Sequence, residues 1–205
     1  MIHRFLPAPD RDAVPTLLVL HGTGGDEADL IPVGQQLAPR FNLLSVRGNV
    51  LENGAPRFFR RLSVGVFDED DLRFRADELA DFLGNFLKNE KLDAGKLLAL
   101  GYSNGANIAG ALLLRHPTLL AGMVGWRAML PLQDPGPAVS SNGAPVLLLS
   151  GDSDPYYQSE GMQRYEQWLK ESGFQPEHHV LNASHGLVRA DYQRTTDWLQ
   201  RHFLS

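Results

Sequence analysis

A serine set between two glycines, in Gly101-Tyr102-Ser103-Asn104-Gly105, is the first feature of this sequence that could do chemistry. It follows an apolar run and opens a helical pattern. In that context a sharp strand-to-helix turn pushes a serine hydroxyl into the open. The flanking glycines remove side chains that would collide at the turn, and the helix N-terminus favours developing negative charge near Ser103. Ala106, Ala109 and Gly110 would let the helix approach a sheet closely. Composition alone gives roughly 0.1 chance matches to G-x-S-x-G in such a chain, so the pentapeptide has to be supported by partners.

A serine nucleophile needs a general base, and turns of this kind take their partners in the order serine, acid, histidine. There are seven histidines. His178 and His179 fall inside a strand pattern, where neighbours point to opposite faces, and they read as strand residues. His202 falls in a last, solvated helical turn. His185, in Ala183-Ser184-His185-Gly186-Leu187, sits in a loop after the last strand pattern and is the natural base. For the acid, Gly151-Asp152-Ser153-Asp154-Pro155 offers two aspartates. Pro155 keeps Asp154 extended. Either carboxylate could orient His185 and stabilise its imidazolium, leaving the other as a turn or capping residue, and local physics does not separate them.

The chemistry also needs donors for an oxyanion. His21-Gly22-Thr23-Gly24-Gly25-Asp26 follows the first strong apolar run, and its glycines allow backbone N–H groups to turn inward. One N–H from this loop and that of Asn104 would form the hole. The loop lacks the G-x-G-x-x-G spacing and the lysine of phosphate-binding loops.

These residues have to be positioned by strands and helices. Thr16 to Leu20, Leu97 to Leu100 within Lys96 to Gly101, and Val146 to Leu149 are continuous apolar runs, as expected of strands covered on both faces. Leu43 to Val46, Leu120 to Trp126 and His178 to Leu181 are weaker strand candidates, and His3 to Leu6 suits an edge. Between them, Leu79, Phe82, Leu83, Phe86 and Leu87 mark a helix face. So do Leu30, Val33, Gly34 and Leu37, with Asp29 as a candidate cap and Pro32 tolerable in the first turn. Met162, Tyr165 and Leu169 mark another helix, closed by Gly173, and Thr195, Trp198 and Leu199 the last. The alternation predicts a mostly parallel α/β sheet with its site at the carboxyl ends of the strands. Pro131 to Pro145 carries four prolines and reads as a surface loop, with a lid as the alternative.

The 205 residues suit a single domain spanning 1–205. A net charge of -5 gives no electrostatic footprint for nucleic acid. The absence of cysteine excludes thiolate catalysis and cysteine metal sites. With no signal-peptide pattern and no bilayer-length apolar run, a cytoplasmic protein without integral membrane association is expected, either monomer or homodimer.

Several segments together resemble the phospholipase/carboxylesterase family of small, lidless α/β-hydrolases, which includes acyl-protein thioesterases. The bacterial subgroup linked to hydroquinone stress is the most similar. The resemblance runs through Leu20 to Glu27, Ser45 to Gly54, Arg57 to Arg61, Gly65 to Glu69, Gly101 to Asn107 and Gly151 to Pro155. It implies Ser103, Asp154 and His185 as the triad, since the family's aspartate directly precedes a proline. It implies the backbone N–H groups of Thr23 and Asn104 as the oxyanion hole. A carboxylesterase acting on a small-molecule ester follows, with no metal or organic cofactor. A thioesterase or lysophospholipase is the alternative with the same residues, and a non-catalytic ligand-binding homologue the alternative of another class. The substrate pocket is open. Phe58 or Phe59 lines the acyl or alcohol pocket in one reading and belongs to the core in another. Met129 and Leu187, at candidate loop ends, are further pocket candidates.

Overall fold

The computed structural model describes residues 1–138 and 140–204. Val139, inside the proline-rich segment, and Ser205, within the expected 1–205 domain, lie outside the described residues. The strands are β1 (His3–Leu6), β2 (Thr16–Leu20), β3 (Asn42–Val46), β4 (Val50–Glu52), β5 (Ala55–Arg57), β6 (Arg61–Ser63), β7 (Val66–Phe67), β8 (Leu97–Tyr102), β9 (Gly122–Trp126), β10 (Pro145–Gly151) and β11 (Gln175–Leu181). The helices are α1 (Ile31–Leu37), α2 (Glu69–Glu90), α3 (Asn104–Arg115), α4 (Ser159–Glu171) and α5 (Arg189–Phe203). Seven strands form one sheet in the order β1-β3-β2-β8-β9-β10-β11. Only β1 runs antiparallel, against β3 at the edge.

The continuous apolar runs are explained by what covers them. Leu18, Leu20, Leu44 and Val46 face a core built with α2, α3 and α4, through residues such as Leu79, Leu112 and Met162. Leu17, Val19, Leu98 and Leu100 face the other side, against Leu37 of α1 and Trp198 and Leu199 of α5. Successive strand side chains alternate between faces, and both faces are dry, so both alternations must be apolar. The register aligns the carboxyl ends: Leu20 is opposite Gly101, Tyr102 opposite Trp126 and Gly151 opposite Leu181. The loops after β2, β8, β9, β10 and β11 therefore emerge together.

One local expectation changes, and two segments gain definition. Asp29 does not cap α1: the cap position is Leu30, with no side-chain cap bond, although Pro32 does fall in the first turn. The stretch between β3 and α2 is two short antiparallel hairpins, β4–β5 and β6–β7, outside the main sheet. The described residues of the proline-rich segment lean on helices instead of lining the cavity at the strand ends. Arg73 of α2 donates to the Asp134 carbonyl, Arg164 of α4 to that of Gln133, and Trp168 of α4 to that of Gly136.

Candidate active site

The turn between β8 and α3 is the sharp one the pentapeptide requires. Ser103 has φ 54° and ψ −112°, a left-handed conformation that an L side chain rarely adopts. Close packing enforces it. A Cβ on Gly105 would overlap the carbonyl of Leu20, and one on Gly101 would overlap that of Gly105. Ser103 N–H donates to the Trp126 carbonyl at 2.8 Å, and its own carbonyl accepts from Asn107 N–H at 3.0 Å.

His185 reaches this serine from the loop after β11. A carboxylate can only accept, so Asp154 Oδ2, 2.8 Å from His185 Nδ1, accepts the ring hydrogen. Nε2 is left as acceptor, and Ser103 Oγ donates to it at 2.9 Å. Asp154 Oδ1 accepts from Tyr156 N–H at 2.9 Å, and the residue is 7% exposed. Asp152 does something else. Its Oδ1 accepts from Ala183 N–H at 3.2 Å and from Ser153 Oγ at 3.0 Å, holding the acid loop to the histidine loop. Of the two aspartates left open by the sequence, Asp154 is the one that lies beside His185.

A second serine–histidine–carboxylate chain lies elsewhere. Ser150 Oγ is 2.9 Å from His178 Nε2, and His178 Nδ1 is 2.6 Å from Glu166. Ser150 sits within β10 and is 2% exposed, so this chain is packing. His179 instead contacts Glu177 at 2.7 Å, in keeping with opposite faces of a strand. His202 is exposed at the end of α5.

The loop after β2 is fixed by His21. Its Nδ1–H donates to the Gly22 carbonyl at 2.6 Å and its Nε2 accepts from Gly48 N–H at 3.0 Å. That pattern requires a neutral ring, and burial does hold the His21 pKa below the ordinary imidazole value. Thr23, next in this loop, lines the same cavity as Ser103 and Asn104. Asn104 is the first residue of α3, where backbone N–H groups have no carbonyl one turn earlier to bond. Its side-chain Oδ1 accepts from Phe58 N–H at 2.7 Å, tying the hairpin segment to the turn.

The cavity at Ser103 has a volume of about 310 Å³. Met129 lines it, together with Arg57, Arg61 and Phe67 from the hairpins and Tyr102 and Tyr156 beside His185. No described residue of the proline-rich segment does. Phe58, Phe59 and Leu187 do not line it either. Phe58 and Phe59 are 2% and 0% exposed and belong to the core. Large apolar rings bury most area there, whereas Arg57 and Arg61 line the cavity and Arg60 turns outward to Asp68. Leu187 packs against the core beside α5.

The residue that sequence reasoning left without a role is Arg127. It is 2% exposed, with φ 56°. Its Nε donates to the Ser184 carbonyl at 3.0 Å and its Nη2 to that of Gly186 at 2.8 Å, the two neighbours of His185. Asp191 of α5 accepts from Nη1 and Nη2. Arginine is seldom fully buried unless paired, and the partner is remote in sequence, so only a buried arginine after a strand could have hinted at it.

A mostly parallel sheet with a serine, a histidine and an aspartate hydrogen-bonded in sequence at its strand ends defines an α/β-hydrolase. The Phospholipase/Carboxylesterase family model matches residues 3–203, and the chain belongs to that family. MhqD of Bacillus subtilis (strain 168), named as a hydrolase, is 40% identical over 185 residues, covering 89% of this chain and 90% of that protein. The crystal structure of the Bacillus cereus carboxylesterase superposes with a TM-score of 0.93 at 40% identity, covering 98% of this chain and 94% of that one. Acyl-protein thioesterase 1 of Mycosarcoma maydis is 29% identical, covering 76% of this chain and 75% of that protein. No described helix is long and apolar enough to cross a membrane.

Proposed function

We propose that the protein is a serine carboxylesterase that hydrolyses small carboxylic esters by two-step acyl transfer. The observation that carries this reading is the unbroken chain Asp154–His185–Ser103, with contacts of 2.8 and 2.9 Å, opening on a cavity. His185 Nε2 takes the Ser103 proton as Oγ attacks the ester carbonyl. Asp154 holds the imidazole in the tautomer that leaves Nε2 free and stabilises the imidazolium. The N–H groups of Thr23 and Asn104 receive the oxyanion. His185 then protonates the departing alcohol, and water repeats the cycle on the acyl-serine, releasing the acid and restoring Ser103. None of these steps calls on a metal or organic cofactor.

The cavity volume of about 310 Å³ sits at the small end for ligand sites. It favours short acyl chains over a lysophospholipid, and the name of the 40%-identical Bacillus cereus carboxylesterase favours the ester reading over the thioester one. Rates across p-nitrophenyl esters of increasing acyl length, beside a thioester and a lysophospholipid, test it. The expected outcome is the highest kcat/KM on short to medium esters, abolished by Ser103→Ala. A preference of tenfold or more for the thioester or the lysophospholipid contradicts it.

A further inference from the structure

We propose that Arg57 and Arg61 select esters that carry a carboxylate of their own, a specificity that rests on the ester-hydrolase reading above. Arg57, Arg61 and Arg127 line the cavity and, among the described residues, no aspartate or glutamate does, although the whole protein has a net charge of -5. The positive lining is therefore a local arrangement, opposite in sign to the molecule.

The three arginines are not equivalent. Arg127 spends its N–H groups on Asp191 and on the carbonyls of Leu149, Ser184 and Gly186, so its charge is already answered. Arg57 spends Nε on the Phe59 carbonyl and Nη1 on Thr23 Oγ1 and Glu52. Its Nη2 has no acceptor among the described residues and is not sealed from solvent. Arg61 spends only Nε, on Glu52 Oε1 at 2.8 Å. Glu52 is the one carboxylate shared by both, at 3.5 Å and 2.8 Å, so two cations face one anion. Burial destabilises the Arg57 charge, and Glu52 offsets this only in part.

Guanidinium N–H groups match a carboxylate in planar geometry. The Arg57 bond to Thr23 Oγ1, 2.7 Å long, places the free donor beside the loop that supplies an oxyanion N–H. A second carboxylate on a short ester would lie within the same small cavity. The linked carbonyl would then be oriented at Ser103 by a charge contact that a neutral ester cannot make.

The test compares kcat/KM for matched neutral and anionic esters. p-Nitrophenyl butyrate against mono-p-nitrophenyl succinate places the charge on the acyl side. Ethyl butyrate against O-butyryl glycolate places it on the alcohol side. Wild type is expected to prefer the anionic member of at least one pair by roughly tenfold. The preference should shrink at high salt, as a partly exposed charge contact is screened. Arg61→Gln should lower the anionic-to-neutral ratio and Arg61→Lys restore part of it. Glu52→Gln should raise it, because it removes the competing carboxylate. A wild-type ratio of one or less in both pairs overturns the proposal, and so does a ratio that none of these variants moves. Absence of turnover on all four esters, with Ser103 unlabelled by a fluorophosphonate, would instead overturn the ester-hydrolase reading itself.

Discussion

Arg127 and Asp191, 64 residues apart in the chain, form a two-pronged ion pair at 2.7 and 2.8 Å with both side chains fully buried. The same guanidinium grips the carbonyls on either side of His185, and Asp191 Oδ2 also accepts from Val188 N–H at the start of α5. The pair thereby fixes the loop that carries His185. In the proposed mechanism Arg127 is a positioning residue, since its effect on Ser103 passes through His185.

Removing one partner strands a buried charge. Asp191→Ala should therefore destabilise the protein by roughly 3–5 kcal/mol, read from urea unfolding midpoints. The double change Arg127→Met with Asp191→Leu should recover most of that stability. It should leave kcat well below wild type, because nothing then holds the Ser184 and Gly186 carbonyls. Full recovery of both stability and kcat would reduce the pair to packing.

The two aspartates of the acid loop should separate by activity. Asp154→Asn should lower kcat by about 10⁴-fold through loss of the tautomer that leaves Nε2 free. Asp152→Asn should cost only a few fold, since its contacts are to Ala183 and Ser153. Michaelis–Menten kinetics on one activated ester measure both. The reverse order would assign the acid wrongly.

The backbone of Ser103 stores strain. Its conformation, φ 54° with ψ −112°, is open to glycine at little cost. Ser103→Ala keeps that strain, whereas Ser103→Gly relieves it. Both variants should be inactive. The glycine variant should be the more stable by about 1 kcal/mol, the strain relief exceeding the added unfolded-chain entropy. Thermal unfolding of the two, side by side, reads the difference directly.

His21 gives stability a pH dependence. Because burial lowers its pKa in the folded state, the unfolded chain binds more protons as pH falls. This contribution is complete above the unfolded imidazole value, about 6.5, and is lost as pH falls through the lower folded value. Protonation also removes the Nε2 acceptor for Gly48 N–H. His21→Gln, uncharged at every pH, should be less stable than wild type at pH 8 and should lose less stability on acidification to pH 5. Urea midpoints at the two pH values check this, and parallel slopes for the two proteins would contradict it.

The sequence was most legible where one local rule dominates. Runs such as Leu17 to Leu20 have to be strands covered twice, because both alternations are apolar. Ser103 was readable because few turns demand glycine on both sides of a serine. The hairpins were not read, although Asn53-Gly54 is a strong two-residue turn signal and both residues do take positive φ. Strands of two or three residues are too short to show a period. Phe58 and Phe59 stayed open between pocket and core because an aromatic near a cavity and an aromatic beneath it look alike in sequence. The Arg127–Asp191 pair was invisible for the opposite reason: its meaning lies wholly in a contact across 64 residues.

The central claim is that Ser103 Oγ is the nucleophile activated by His185. Treating the folded protein with a fluorophosphonate and mapping the adduct by peptide mass spectrometry tests it most directly. One equivalent on the peptide containing Ser103 is expected, with ester hydrolysis lost in step and with labelling abolished in Ser103→Ala and strongly slowed in His185→Ala. Labelling at another residue, or ester turnover that survives both substitutions, would contradict it.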